Sequence, residues 1–232
     1  MGYNLRVCMK KAPVIKRIER NPGRTRERIL AAALTEFAAK GFAGARVDCI
    51  ARRARINKRM LYHYFGEKEV LFREVLRRKI AERSAWLASA PEDPVESLSL
   101  RFQLACRDPE WIRMLEWEAL HWGERTVIDE DRRKAGFARA VQRIRRWQAE
   151  GLLDDTFDAA QLLLSLLALT AYPLAFPQLA RLATGLPVSS QKFQRQRDQF
   201  LRQFVVAFRA QLGADAPGNM PISFHNQKGT SK

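Results

Sequence analysis

Residues 45–68 read ARVDCIARRARINKRMLYHYFGEK, two short helical patterns joined by a four-residue turn. Val47, Ile50, Ala51 and Ala54 recur at i, i+3, i+4 and i+7, so the first pattern buries that face. Asn57 stands where an N-cap would accept from a first-turn N–H of the second. Ile56 precedes the cap and Leu61 sits at N4, the pair that forms a hydrophobic staple. Leu61 and Phe65, four apart, then face inward, while Lys58, Arg59, Tyr62 and His63 share the other face. A short, firmly anchored helix showing Lys, Arg, Tyr and His outward suits the major groove of double-stranded DNA. A merely solvated charged helix would leave the outward tyrosine and the rigid turn unexplained.

The charge distribution points the same way. The chain has 232 residues and a formal net charge of +16. Residues 1–83 hold 22 Lys+Arg against 8 Asp+Glu, so nearly all of the excess lies in the segment with the helix pair. Such a footprint calls for a polyanion. The hydrophobic share of 47% is enough for one or two helical domains with a proper core. Cys8, Cys49 and Cys106 are odd in number and at no metal spacing, which reads as reduced packing residues rather than redox sensors. His63, His121 and His225 are scattered, and neither a metal nor a cofactor is expected. No apolar core of signal-peptide type opens the sequence, so the expected location is the cytoplasm.

Along the chain, residues 1–23 read as a basic, disordered arm and 24–83 as the DNA-binding domain. Residues 84–213 read as a second helical domain and 214–232 as a disordered, Pro/Gly/Ser-rich tail. A first helix is expected over about 26–40, capped by Thr25 and ended at Gly41, with Phe42 folding back on Phe37. Helix 4 follows Gly66 and runs to about Ala88. Asp93-Pro94-Val95-Glu96 supplies a cap, a proline at N1 and an acid at N3, and Asp108-Pro109-Glu110 repeats the device. Further helices are expected over about 128–149, from Asp158 and over 190–212. The charge-free stretch 159–180 nominally qualifies as a membrane span. Its polar residues and two prolines favour a helix buried on all sides by protein, and no membrane partner is expected. No strand alternation or fixed repeat is present, so the fold class is all-α.

The run from Arg24 to Arg78 resembles the N-terminal domain of the TetR family of bacterial transcriptional repressors. The likeness rests on an amphipathic helix ending in Gly41-Phe42, on Val-x-x-Ile-Ala from Val47, and on Leu-Tyr-x-Tyr-Phe-x-x-Lys from Leu61 to Lys68. In the C-terminal two-thirds the likeness is mostly architectural. It implies an N-terminal three-helix helix-turn-helix domain and a C-terminal helical domain for ligand binding and dimerisation. It also implies that Lys58, Arg59, Tyr62, His63 and Tyr64 contact bases or backbone. For Tyr64 a core role beside Phe65 stays open. Lys68, at the start of helix 4, is placed to meet a phosphate. Three departures stand out. Arg55 occupies the turn position where the family usually has Gly, at a strain of roughly 1 kcal/mol. Ala45-Arg46 offers helix 2 no side-chain cap, and Asp48 would repel DNA if it faced the groove. Arg46, Arg52, Arg53 and Arg55 remain candidate phosphate partners.

One recognition helix reads too few base pairs for a useful specificity ratio. A homodimer on a palindromic operator solves this. The apolar helix 159–172 and the stripe of 193–212 are the expected interface, with Leu163, Leu167, Phe200, Phe204 and Phe208 in it. The family resemblance implies a small-molecule effector. Phe102, Trp111, Met114, Trp117, His121 and Tyr172 are the candidates for an apolar, aromatic pocket, against the plainer reading of helical aromatics as core. Catalytic motifs are lacking: no phosphate loop, no nucleophile elbow and no metal pair. A regulator without ligand control is the alternative to a ligand-responsive one.

Overall fold

The computed structural model describes residues 22–209, all of its regular structure being helical. The helices are α1 (Pro22–Gly44), α2 (Val47–Arg53), α3 (Lys58–Phe65), α4 (Lys68–Ala88) and α5 (Pro94–Arg107). They continue with α6 (Pro109–Trp122), α7 (Glu130–Ala149), α8 (Ala159–Ala175), α9 (Pro177–Thr184) and α10 (Gln191–Ala207). The chain divides into two compact units between Val75 and Leu76, inside α4. The all-α expectation therefore holds among the described residues. The arm up to residue 21 and the tail from 214 lie outside them.

In the first unit α1 begins earlier than expected. Pro22 opens it, because a proline at N1 loses no hydrogen bond and is already set for helical φ. Thr25 is thus inside the helix instead of capping it. Gly41, at φ 69°, ends the regular turns, a backbone angle that costs a side-chain-bearing residue strain. Ile29, Ala33 and Phe37 are buried to the last few per cent. Phe72 of α4 receives Phe37 edge-on at 5.0 Å and Phe42 at 5.7 Å. With Ile50, Leu61 and Leu71, fully enclosed, these rings make the core on which α2 and α3 rest.

The second unit is built around Val95, Leu98, Phe102, Ile144, Trp147, Leu162, Phe193, Leu201 and Val205. Asp93 caps α5, accepting from the Val95 and Glu96 N–H groups, with Pro94 at N1 as expected. Asp108 does not repeat the device in full. Pro109 opens α6, but the Asp108 carboxylate makes no cap and takes the Lys79 ammonium at 2.5 Å instead. Asp158 caps α8 and Ser190 caps α10. Phe176 and Pro177 break the apolar stretch into α8 and α9, bent by 90°. Among the described residues no single helix is long and apolar enough to cross a membrane. The α10 helix stops at Ala207, five residues short of the expected Leu212, its end closed by N–H bonds from Phe208. Cys106 is half-buried, and burial followed by the Asp198 charge pushes its thiol up to about 11. That makes a poor thiolate and fits the packing role.

Candidate nucleic-acid interface

The turn between α2 and α3 is closed by its own backbone. The Ala54, Arg55 and Ile56 N–H groups donate to the Ile50, Arg52 and Ala51 carbonyls at 2.8, 3.1 and 3.0 Å. Arg55 takes φ 54°, the left-handed angle expected at a position that favours Gly. The structure supplies a tether that sequence reasoning missed. The Arg28 guanidinium of α1 donates to the Arg55 carbonyl at 3.0 Å and to the Ala54 carbonyl. Arg28 reads as one more surface cation in the sequence, because its partner lies 26 residues on and is backbone. Asn57 Oδ1 then accepts from the Met60 N–H at 2.8 Å, and Gly66 closes α3 at φ 65°.

With Leu61 and Phe65 buried, α3 turns Lys58, Arg59, Tyr62 and His63 to solvent. Tyr62 is 44% exposed, its ring in solvent on the same face as Lys58, Arg59 and His63. Tyr64 is half-buried, its ring tilted at 6.4 Å from that of Phe65. Arg46 and Arg55 are exposed, and Arg46 gives α2 no side-chain cap.

Two charges are placed differently from expectation. Lys58 Nζ lies 3.1 Å from Asp48, so the acid of α2 is held by a cation of α3 and both remain exposed. Lys68 is turned into the corner between α1 and α2. Its ammonium donates to the Ala45 carbonyl at 3.2 Å and the Ala43 carbonyl at 3.5 Å, 4.7 Å over the Phe42 ring. That is a structural clamp, with at most one donor left for a phosphate.

The C-terminal candidates separate into three groups. A cavity of about 800 Å³ is bounded by α4 to α8. Trp111 lies in its wall, with Phe137. Phe102 and Met114 are fully buried core, and Trp117 is half-buried outside the wall. His121 is exposed beside Trp122 at 4.5 Å, and Tyr172 is 51% exposed against Phe176 at 5.1 Å. So Trp111 alone of the six candidates lines the cavity. Leu163 and Leu167, expected at an interface, belong to the cavity wall instead. A helix apolar on all sides gives no sequence signal for which side faces in. The outer face of α8 is Leu164, Ala168 and Tyr172, at spacings of four. That of α10 carries Gln196, Gln199, Phe200, Gln203 and Val206, with the exposed cations Lys192 and Arg195 in its first turns and the Arg197 guanidinium 4.9 Å over the Phe200 ring. Phe204 and Phe208 are half-buried, stacked at 4.5 Å.

This geometry has close relatives. Residues 29–75 match bacterial regulatory proteins of the tetR family, and residues 100–206 match the tetracyclin repressor-like C-terminal domain. The HTH-type transcriptional repressor SCO4008 of Streptomyces coelicolor is 35% identical over 166 residues, 72% of this chain and 86% of that protein. The chain belongs to the TetR family. The HTH-type transcriptional repressor NicS of Pseudomonas putida is 37% identical, over 57% of this chain and 67% of its own. The crystal structure of SCO4942 of Streptomyces coelicolor superposes with a TM-score of 0.67 at 28% identity, covering 80% of this chain and 98% of that one. The TetR-family chain is a helix-turn-helix, DNA-binding transcriptional repressor and not an enzyme.

Proposed function

We propose that this repressor binds a palindromic operator as a homodimer in the cytoplasm and releases it when a small molecule occupies the C-terminal cavity. The observation that carries the reading is the exposed face of α3. Lys58, Arg59, Tyr62 and His63 stand in solvent on a helix fixed at both ends by Asn57 and Gly66. Arg59, paired to no acid among the described residues, is the residue for a bidentate guanine contact. Arg46, Arg55 and the Tyr64 hydroxyl are assigned to phosphates, and Lys68 chiefly to holding α2 against α1.

The outer faces of α8 and α10 support the dimer. Leu164 is 57% exposed and Phe200 44%, and the exposed residues of α8 and those of α10 from Gln196 to Val206 are uncharged. The cavity supports the effector, its volume lying within the range of roughly 300–1,000 Å³ typical of small-molecule sites. The α4 helix supports a coupling between the two. Its Ile80, Arg83 and Leu87 line the cavity, while its Leu71 and Phe72 belong to the other unit's core. An effector that binds one arrangement of α4 a hundredfold better than another would weaken operator binding by up to about 2.7 kcal/mol.

Selection of bound duplexes from random DNA tests the reading. An inverted repeat with half-sites about one helical turn apart is expected. A flat, salt-dependent affinity for any sequence would overturn it.

A further inference from the structure

The walls of the C-terminal cavity are mostly apolar, from Ile80, Leu115, Phe137 and Leu167 among others, but seven arginines also line it, and three of these, from three helices, are buried or half-buried with no ion pair to an acid among the described residues. They are Arg83 of α4, Arg101 of α5 and Arg143 of α7. Arg83 is 7% exposed, and its Nη1 is buried with no hydrogen-bond acceptor. Its Nη2 reaches only the Arg101 carbonyl, at 3.4 Å, and its guanidinium lies 5.9 Å from the Trp111 ring. Arg143 is steadied by Ser97 Oγ at 3.0 Å and by the Trp147 ring. Arg101 has no acid within ion-pair distance among the described residues. Burial, then the like charges of Arg83 and Arg143, push its pKa down to about 10.

The carboxylates whose charges reach the cluster, Asp108 toward Arg83 and Glu92 toward Arg143, are each ion-paired to another cation. Glu92 holds Arg146, Asp108 holds Lys79 at 2.5 Å, and Glu118 takes Arg133 at 2.6 Å and the Ile128 N–H at 2.8 Å. Withdrawing like cations from water without an answering anion opposes folding. Such a cluster is stabilised by an anion that arrives from outside, and planar guanidiniums favour a group that accepts two parallel hydrogen bonds. The volume of about 800 Å³ and the aromatic wall leave room for a large apolar body behind the charged head.

We propose that the effector is an organic carboxylate with an apolar or aromatic body, its head held by Arg83, Arg101 and Arg143. This names the ligand class of the cavity and rests on the effector-responsive reading above.

The test uses the full chain with decanoate and naphthoate, their neutral amides, and inorganic phosphate, read by thermal melting and tryptophan fluorescence at neutral pH. The carboxylates should raise the melting temperature and bind at least about tenfold more tightly than the amides. Phosphate alone should bind weakly. R83M and R101M should each lose roughly tenfold or more of carboxylate affinity, because a charged hydrogen bond goes with each. R101M should melt no lower than the native chain, since it removes an unanswered cation.

Amides that bind as well as carboxylates, carboxylates that leave the native chain's melting unchanged, or R83M and R101M retaining full affinity would each overturn the proposal. So would an R101M chain that melts well below the native one, since the arginines would then be holding the fold. If carboxylates bind through the arginines yet leave operator affinity unchanged, the anion site stands and the effector reading fails. Neutral amides that bind and release the operator give the reverse.

Discussion

The two units spend arginine in opposite ways. In the first, Arg46, Arg52, Arg53, Arg55 and Arg59 keep their guanidiniums in water. Their charge costs little there, and their field reaches any phosphate within about a Debye length. In the second, Arg83, Arg101 and Arg143 are drawn into a cavity wall, and burial is the first cause of the lowered pKa of each. A solvated cation accepts many partners at low cost. A desolvated one discriminates, because an ill-matched occupant leaves it unpaired. The first arrangement suits a polymer that repeats a charge along its length, the second a small ligand with one charge.

The comparison breaks first at the scaffold. Phe72→Ala removes the ring on which Phe37 and Phe42 meet and leaves a cavity in the first unit. A loss of about 3–5 kcal/mol is expected there, seen as a low-temperature unfolding step while the second unit keeps its ligand response. Simultaneous loss of both would show that the units do not unfold independently. Next is the outer face of α8 and α10. Leu164→Glu and Phe200→Glu each bury a carboxylate if the proposed dimer forms, at a cost on the order of 3 kcal/mol per charge. Sedimentation should then report monomers, and operator affinity should fall while the monomer's own melting changes little. A double variant that remains dimeric would move the interface elsewhere.

The reading helix was legible in the sequence because it is local. Its cap, its inward pair and its outward face all lie within nine residues, and helical periodicity sorts them. The left-handed turn at Arg55 was legible from its place in the motif. What depends on distant chain was not. Lys68 looks like a phosphate ligand until the fold brings the Ala43 and Ala45 carbonyls to it. Leu163 and Leu167 look like interface residues because α8 is apolar on every side, and only packing decides which side meets solvent. The cavity arginines are 18 and 42 residues apart in sequence, on helices with abundant surface charge. Nothing local distinguishes them from solvated neighbours, and the near-balance of charge beyond residue 83 hides them further.

The solvated side of the comparison is sharpened by two changes on the reading unit. Arg59→Ala should cost about 1–3 kcal/mol on the operator and relax preference at one base pair per half-site, measured by binding to single-base operator variants. Unaltered preference would remove α3 from the groove. Asp48→Asn releases Lys58 from its partner at 3.1 Å. Because both groups are exposed, the pair itself contributes at most about 1 kcal/mol. Operator binding should tighten by a similar small amount and steepen with salt. A weaker complex would mean that Asp48 positions Lys58.

The smallest effect separates strain from charge at one residue. Arg55 holds φ 54°, and its side chain makes no hydrogen bond or ion pair among the described residues to compensate it; the Arg28 tether grips only its carbonyl. Glycine relieves that angle but brings a more flexible unfolded chain, so Arg55→Gly should stabilise the first unit by roughly 0.5–1 kcal/mol net. The Arg28 bond survives, since the backbone oxygen remains. If the Arg55 guanidinium meets a phosphate, the same change should lower the salt slope of operator binding by about one charge, at every sequence alike. A rise in melting temperature with a shallower slope would mean that the charge is kept for DNA despite the strain. A rise with an unchanged slope would mean that Arg55 is strained with no return in binding. A fall in melting temperature would mean that the strain relieved is smaller than the entropy glycine adds to the unfolded chain, so that the angle at Arg55 costs the fold little.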